Sequence, residues 1–123
     1  MNQMRRQLSF MIPLRTYSEA NLRQHWSCLQ RRRREQRMIT RVTTIHQLGP
    51  VRFGPQSVVT LCRVAPRGLD SDNLAASMKA VRDGVADGLG MDDRDSLLTW
   101  RYEQRKGAYA VLVRIEENCG GAK

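Results

Sequence analysis

The run PQSVVTLCRVAP, residues 55–66, constrains the fold more than any other stretch of the chain. It is dense in β-branched side chains and holds no breaker between its terminal prolines, so it reads as a strand at the centre of a sheet. QLSFMIPL (7–14) alternates well enough for a first strand, stopped by Pro13. SLLTWRYEQR and AYAVLVRIEE flank Lys106 and Gly107 and read as a hairpin that completes the sheet. Between the first two strands, TYSEANLRQHWSCLQRRRREQRMITRVTTIHQL reads as one long helix ended by Gly49 and Pro50. Its expected apolar stripe is Leu22, Trp26 and Leu29, then Met38, Val42 and Ile45. After the central strand, Leu74, Met78, Val81 and Val85 recur at spacings of 4, 3 and 4, one face of a second helix. The order β-α-β-α-β-β predicts a small α+β domain, a mixed sheet packed against helices.

At 123 residues the chain is expected to form one domain, with 117–123 a frayed tail. No apolar run approaches the roughly 20 residues that span a bilayer. MNQMRRQLSFMIPL imitates a signal peptide only faintly, because Pro13 interrupts a short apolar part and no cleavage pattern follows. Cys28, Cys62 and Cys119 lie far apart with no CxxC pair, which argues against a disulfide scaffold and against zinc. A reducing cytosol is the expected setting, and Cys62 is expected in or near the core.

Charge is divided unevenly. Residues 1–69 carry 13 Lys and Arg against two acids, whereas residues 70–123 carry eight against ten. All seven aspartates fall within 70–95, and none lies elsewhere. A basic body around a compact acidic patch suits a polyanion binder that also holds a cation. It equally suits a solvated basic surface beside an acidic helix start.

The acidic patch opens with GLDSDNLAASMKAVRDG (68–84), in which Asp70 and Asp72 stand at the start of a predicted helix. Such residues cap helices, and negative charge is favoured beside first-turn amides by about 0.3–1 kcal/mol. They would serve a metal instead if Asp92 or Asp93, in the turn GMDDRD, came back to them. A helix from 72 to 88 would be roughly 25 Å long, so this requires a reversal, which Gly84, Gly88 and Gly90 could permit. Three converging carboxylates would repel unless a cation joined them, and an oxygen-only donor set selects Mg²⁺ or Mn²⁺. Such an ion could polarise a phosphodiester and activate a water. Lys79 is expected on the same helix face as Asp72, Ala76 and Asp83. It would either stabilise charge on a phosphate or form a surface salt bridge to Asp83 or Asp72.

The stretch LDSDNLAASMKAVRDGVADGLGMDD, with its Asp-x-Asp-Asn-Leu, its Lys-Ala and Asp-Gly steps and its closing Asp-Asp, resembles the acidic core of the RusA family of crossover-junction endodeoxyribonucleases. Upstream, EANLRQHWSCLQRRRREQR is similar to the early region of RusA-like proteins encoded by phages and prophages. The resemblance spans roughly residues 8 to 116. It implies a metal-dependent homodimer that cuts symmetrically across branched DNA in a bacterial cytoplasm, without an organic cofactor. By position it implies Asp70, Asp72 and Asp93 as metal ligands, with Asp92 as the alternate to Asp93, and Lys79 as the catalytic lysine. In the best-known members that lysine stands three residues sooner after the Asp-Asn.

The remaining candidates face DNA. Arg31, Arg32, Arg33, Arg34, Arg37 and Arg41 are expected to meet phosphates, with a solvated helix face as the plain alternative. Arg67 would clamp near the scissile phosphate. Asn21 stands near the site in the resemblance or caps the first helix, and His25 touches DNA or packs beside Trp26. Trp100 and Tyr102 share one strand face and are expected in the core or at a dimer contact. The expected function is a Mg²⁺-dependent nuclease of four-way junctions; a non-catalytic DNA-binding module and an RNA-binding protein are the alternatives.

Overall fold

The computed structural model describes residues 5–17, 26–54, 56–91 and 98–118. The run at 57–65 takes the centre, as its composition requires. β2 (Ser57–Ala65) is buried along nearly its whole length and pairs on both edges. β1 (Arg5–Ile12), β3 (Thr99–Lys106) and β4 (Ala110–Asn118) complete a four-stranded mixed sheet in the order β1-β4-β2-β3. β4 runs antiparallel to both β1 and β2, and β3 runs parallel to β2. Period-2 alternation divides the faces. Phe10, Ile12, Val59, Leu61, Val111, Val113 and Ile115 feed the core, while Ser9, Met11, Thr99, Arg101 and Glu103 are exposed on the other side.

The expected closing hairpin does not form. β3 and β4 follow one another in the chain, yet β2 lies between them and bonds to both. Residues 107–109 carry the chain across the end of β2, where the Gly107 amide donates to the Ala65 carbonyl at 3.0 Å. A Cβ at Gly107 would stand 2.9 Å from Val64 Cγ1, so any other residue here would make that side chain shift. The most β-branched run takes the position with two neighbours because burial on both faces favours it. Chain adjacency cannot reveal that. The expected tail also begins later, since Glu117 and Asn118 pair with Arg6 and Arg5; residues 119–123 lie outside the described residues.

The second helix is two helices. α2 (Ser71–Ser77) and α3 (Lys79–Leu89) meet at Met78, whose φ of −104° and ψ of 5° are not helical. The Ser77 hydroxyl donates to the Leu74 carbonyl at 2.8 Å, a local competitor for the helix ladder. Met78 is fully buried, so the break sits in the core. Gly90 ends α3 in the left-handed conformation, φ 74°. Gly84 and Gly88 make no turn and instead lie inside α3.

α1 (Trp26–Leu48) packs on α3. Thr16 and Tyr17, expected in the helix, form irregular backbone before it. Gln36, Thr40, Thr44 and Leu48, every fourth residue, form the buried face. The expected stripe points elsewhere: Trp26, Met38, Val42 and Ile45 are exposed by 72%, 53%, 57% and 48%; Leu22 lies outside the described residues. Small polar residues face inward because α3 offers bare backbone. A Cβ on Gly84 would stand 2.6 Å from Thr40 Cβ, and one on Gly88 would stand 2.7 Å from Thr44 Cβ. Such close helix approach excludes long side chains from the seam. Among the described residues no helix is long and apolar enough to cross a membrane.

Candidate nucleic-acid site at the Asp70 loop

The parallel strands β2 and β3 end on the same side of the sheet, and the chain leaves β2 through Pro66, Arg67, Gly68 and Leu69 to reach Asp70. Two side chains from the core face hold that loop. Arg63 of β2 is buried, donates through Nε to the Thr16 hydroxyl at 2.8 Å, and donates through Nη1 to the Arg67 carbonyl at 2.8 Å. Burial pushes the Arg63 pKa below the ordinary guanidinium value. Gln104 of β3 accepts from the Leu69 amide at 2.9 Å and donates to the Leu69 carbonyl at 2.7 Å, which ties the residue before Asp70 by both its backbone groups.

Asp70 is the N-cap of α2: its Oδ1 accepts from the Asn73 amide at 2.9 Å. The cap uses one carboxylate oxygen. Asp72 stands in the first turn and, like Asp70, is exposed. Among the described residues Asp72 has no hydrogen bond or ion pair. The cap is formed, and it leaves one Asp70 oxygen and the Asp72 carboxylate unused by it. Mg²⁺ is commonly held by one or two carboxylates with waters and substrate phosphate completing its shell, so the chemistry of these donors, carboxylate oxygens, suits a hard divalent ion. Among the described residues no group of three His, Cys, Asp or Glu side chains gathers. Asp93 and its alternate Asp92, the expected source of a third carboxylate, lie outside the described residues, as do Asn21 and His25.

Lys79 opens α3, and its Nζ donates to Asp83 Oδ1 at 2.9 Å, one turn on. The break at Met78 puts Lys79 and Asp72 on two separate helices, not on the one continuous helix expected. Of the expected phosphate contacts on α1, Arg31, Arg34 and Arg41 are exposed. Arg37 instead bridges the helices, with Nε and Nη2 at 2.7 and 3.0 Å from the two Asp87 oxygens. The Arg32 guanidinium lies 3.9 Å from the Tyr17 ring centroid, and Arg33 is half-buried. Arg67 is exposed beside Gly68. Trp100 and Tyr102 pack against the core, where Arg82 stacks on the Trp100 ring at 4.8 Å and donates to the Tyr102 hydroxyl at 3.1 Å.

Several residues of this end of the molecule escaped the sequence reading. Arg15 lies 4.8 Å from the Tyr17 centroid and 4.5 Å from the Tyr109 centroid, and its carbonyl accepts from Gln36 of α1. Arg105 and Lys106, with Arg67, line a cleft of about 390 Å³ at the ends of β2 and β3. Two signals were present. Arg63 shares strand parity with Val59 and Leu61, and Gln104 shares it with Trp100 and Tyr102. A polar residue at an inward position must find partners, so it marks a place where the core meets a polar loop. The chain matches no known protein family and no curated protein.

Proposed function

We propose that the chain is a Mg²⁺- or Mn²⁺-dependent endodeoxyribonuclease of the RusA type that acts on four-way DNA junctions. The observation that carries this reading is the juxtaposition at one loop of two exposed carboxylates, Asp70 and Asp72, with the cationic cleft of Arg67, Arg105 and Lys106. Carboxylates and cations so close serve a phosphodiester twice, through a metal on one oxygen and through basic groups on its neighbours.

In this reading Asp70 and Asp72, with Asp93 or Asp92, would hold the ion, which when bound would supply a Lewis acid to polarise the phosphate. Asp70 does so from a backbone fixed by its own cap and by Gln104. Lys79 would act only after exchanging Asp83 for the substrate. Arg31, Arg34 and Arg41 extend the basic surface, whereas Arg37 is spent on Asp87 and supports the scaffold. A homodimer is part of the proposal, because a two-fold enzyme matches a two-fold junction. The exposed row of Met38, Val42 and Ile45 offers apolar surface that a second copy could cover. The setting proposed is a bacterial cytoplasm, with a phage or prophage origin.

One observation favours a second reading, a DNA-binding module that does not cleave: Lys79 is already engaged by Asp83. Nicking of a synthetic four-way junction in Mg²⁺, by the native chain and by Asp72→Asn, separates the two. Binding without metal-dependent nicking selects the module.

A further inference from the structure

We infer that the cleft at the ends of β2 and β3 is a phosphate subsite, gripping a backbone phosphate beside the one presented to Asp70 and Asp72. The inference rests on the nucleic-acid reading above but not on cleavage. Its residues are Arg67, Arg105 and Lys106, with the bare backbone of Gly68 between them and Asp70.

Three features support a built site rather than a scatter of surface charge. First, the lining holds three cations and no acidic residue, since Ala65, Pro66, Gly68 and Gln104 complete it, and Glu103 borders only the adjoining groove, which it shares with Arg105. Among the described residues none of Arg67, Arg105 and Lys106 has an ion pair or a side-chain hydrogen bond, although Arg114 on the same sheet pairs with Glu116 at 3.3 Å and Glu103 at 3.8 Å. Like charges gathered in a cleft without a counter-ion are arranged for an anion. Second, the frame is fixed before any ligand arrives. The buried Arg63 holds the Arg67 carbonyl, and Gln104 holds both backbone groups of Leu69. Gly68 has no side chain, so its backbone is exposed to the cleft beside that clamp. A preformed frame avoids the ordering cost of binding. Third, the reach is right. Gly68 and Asp70 are two residues apart, so their Cα atoms lie within about 7 Å. One strand could thus place one phosphate in the cleft and a neighbour at the aspartates.

The test is fluorescence anisotropy of a labelled synthetic four-way junction in EDTA across a KCl series, for the native chain, Arg105→Gln, Lys106→Gln and the double variant. Arg101→Gln serves as comparator, being an exposed arginine on the same strand but outside the cleft. Each cleft substitution is expected to reduce the slope of log K against log[salt] by about 0.9, and the double variant to bind about 10- to 100-fold more weakly at low salt. Arg101→Gln should change the slope by less than half as much. Equal slopes for native and double variant overturn the subsite, and so does an Arg101→Gln effect as large as that of Arg105→Gln, which would mean a diffuse basic surface. If the native chain fails to nick the junction in Mg²⁺ while the slopes still separate as expected, the nuclease reading falls and the subsite stands.

Discussion

Replacing Gly84 by alanine should destabilise the protein, although alanine is the better helix former by about 1 kcal/mol. The added methyl carbon would lie 2.6 Å from Thr40 Cβ and 2.7 Å from the Arg37 carbonyl oxygen. Neither atom is the tip of a flexible side chain, and carbon contacts normally sit at about 3.5–4.0 Å. α1 and α3 must therefore part by about 0.5–1 Å, a gap that forfeits a quarter to a half of each dispersion contact along the seam. Overpacking of this kind costs about 1–3 kcal/mol. Because one of the two clashing atoms is a backbone oxygen, the cost should fall in the upper half of that range, about 2–3 kcal/mol, so after the propensity gain the net loss should be about 1–2 kcal/mol, or roughly 4–10 °C in Tm for a chain of this size. Thermal unfolding followed by circular dichroism reads it directly. Gly88→Ala should cost less, because the nearest carbonyl there, that of Arg41, stands at 3.4 Å and only Thr44 must yield. A Tm for Gly84→Ala equal to or above the native value would refute the close packing of α1 on α3.

Two further outcomes follow from the same geometry. Arg37→Ala removes the bidentate bridge to Asp87 and should lower stability by about 0.5–1 kcal/mol, less in high salt, because the pair is partly exposed; urea unfolding at two salt concentrations would show it. Burial pushes the Cys62 thiol above its ordinary pKa against the opposing pull of Arg105, while Cys28 is exposed, so iodoacetamide at pH 8 should label Cys28 about tenfold faster or more. Comparable labelling of the two by mass spectrometry would contradict the burial of Cys62.

What could be read without coordinates was whatever local chemistry decides. Pro13 stops β1, the β-branched run takes the sheet centre, and Asp70 caps a helix. The α+β class followed from these periods. What could not be read was set by partners distant in the chain. Hydrophobic counting chose Met38, Val42 and Ile45 as the inner face of α1, but Gly84 and Gly88 of α3 admit only short side chains, so Thr40 and Thr44 went inward. β3 and β4 looked like a hairpin because nothing in either strand announces that β2 enters between them. At the candidate site the carboxylates were visible from their spacing alone. The cationic wall was not, because Arg105 and Lys106 stand 35 residues or more from Asp70 and reach it only through the parallel pairing of β2 with β3.

The most direct measurement is nicking of a synthetic four-way junction by the native chain and by Asp72→Asn, with Mg²⁺ and with EDTA. The account predicts paired nicks on opposing strands in Mg²⁺, none in EDTA, and a rate lowered by about 10²-fold or more in Asp72→Asn with junction binding retained. Nicking that survives the substitution undiminished, or tight binding with no metal-dependent nicking, would contradict it.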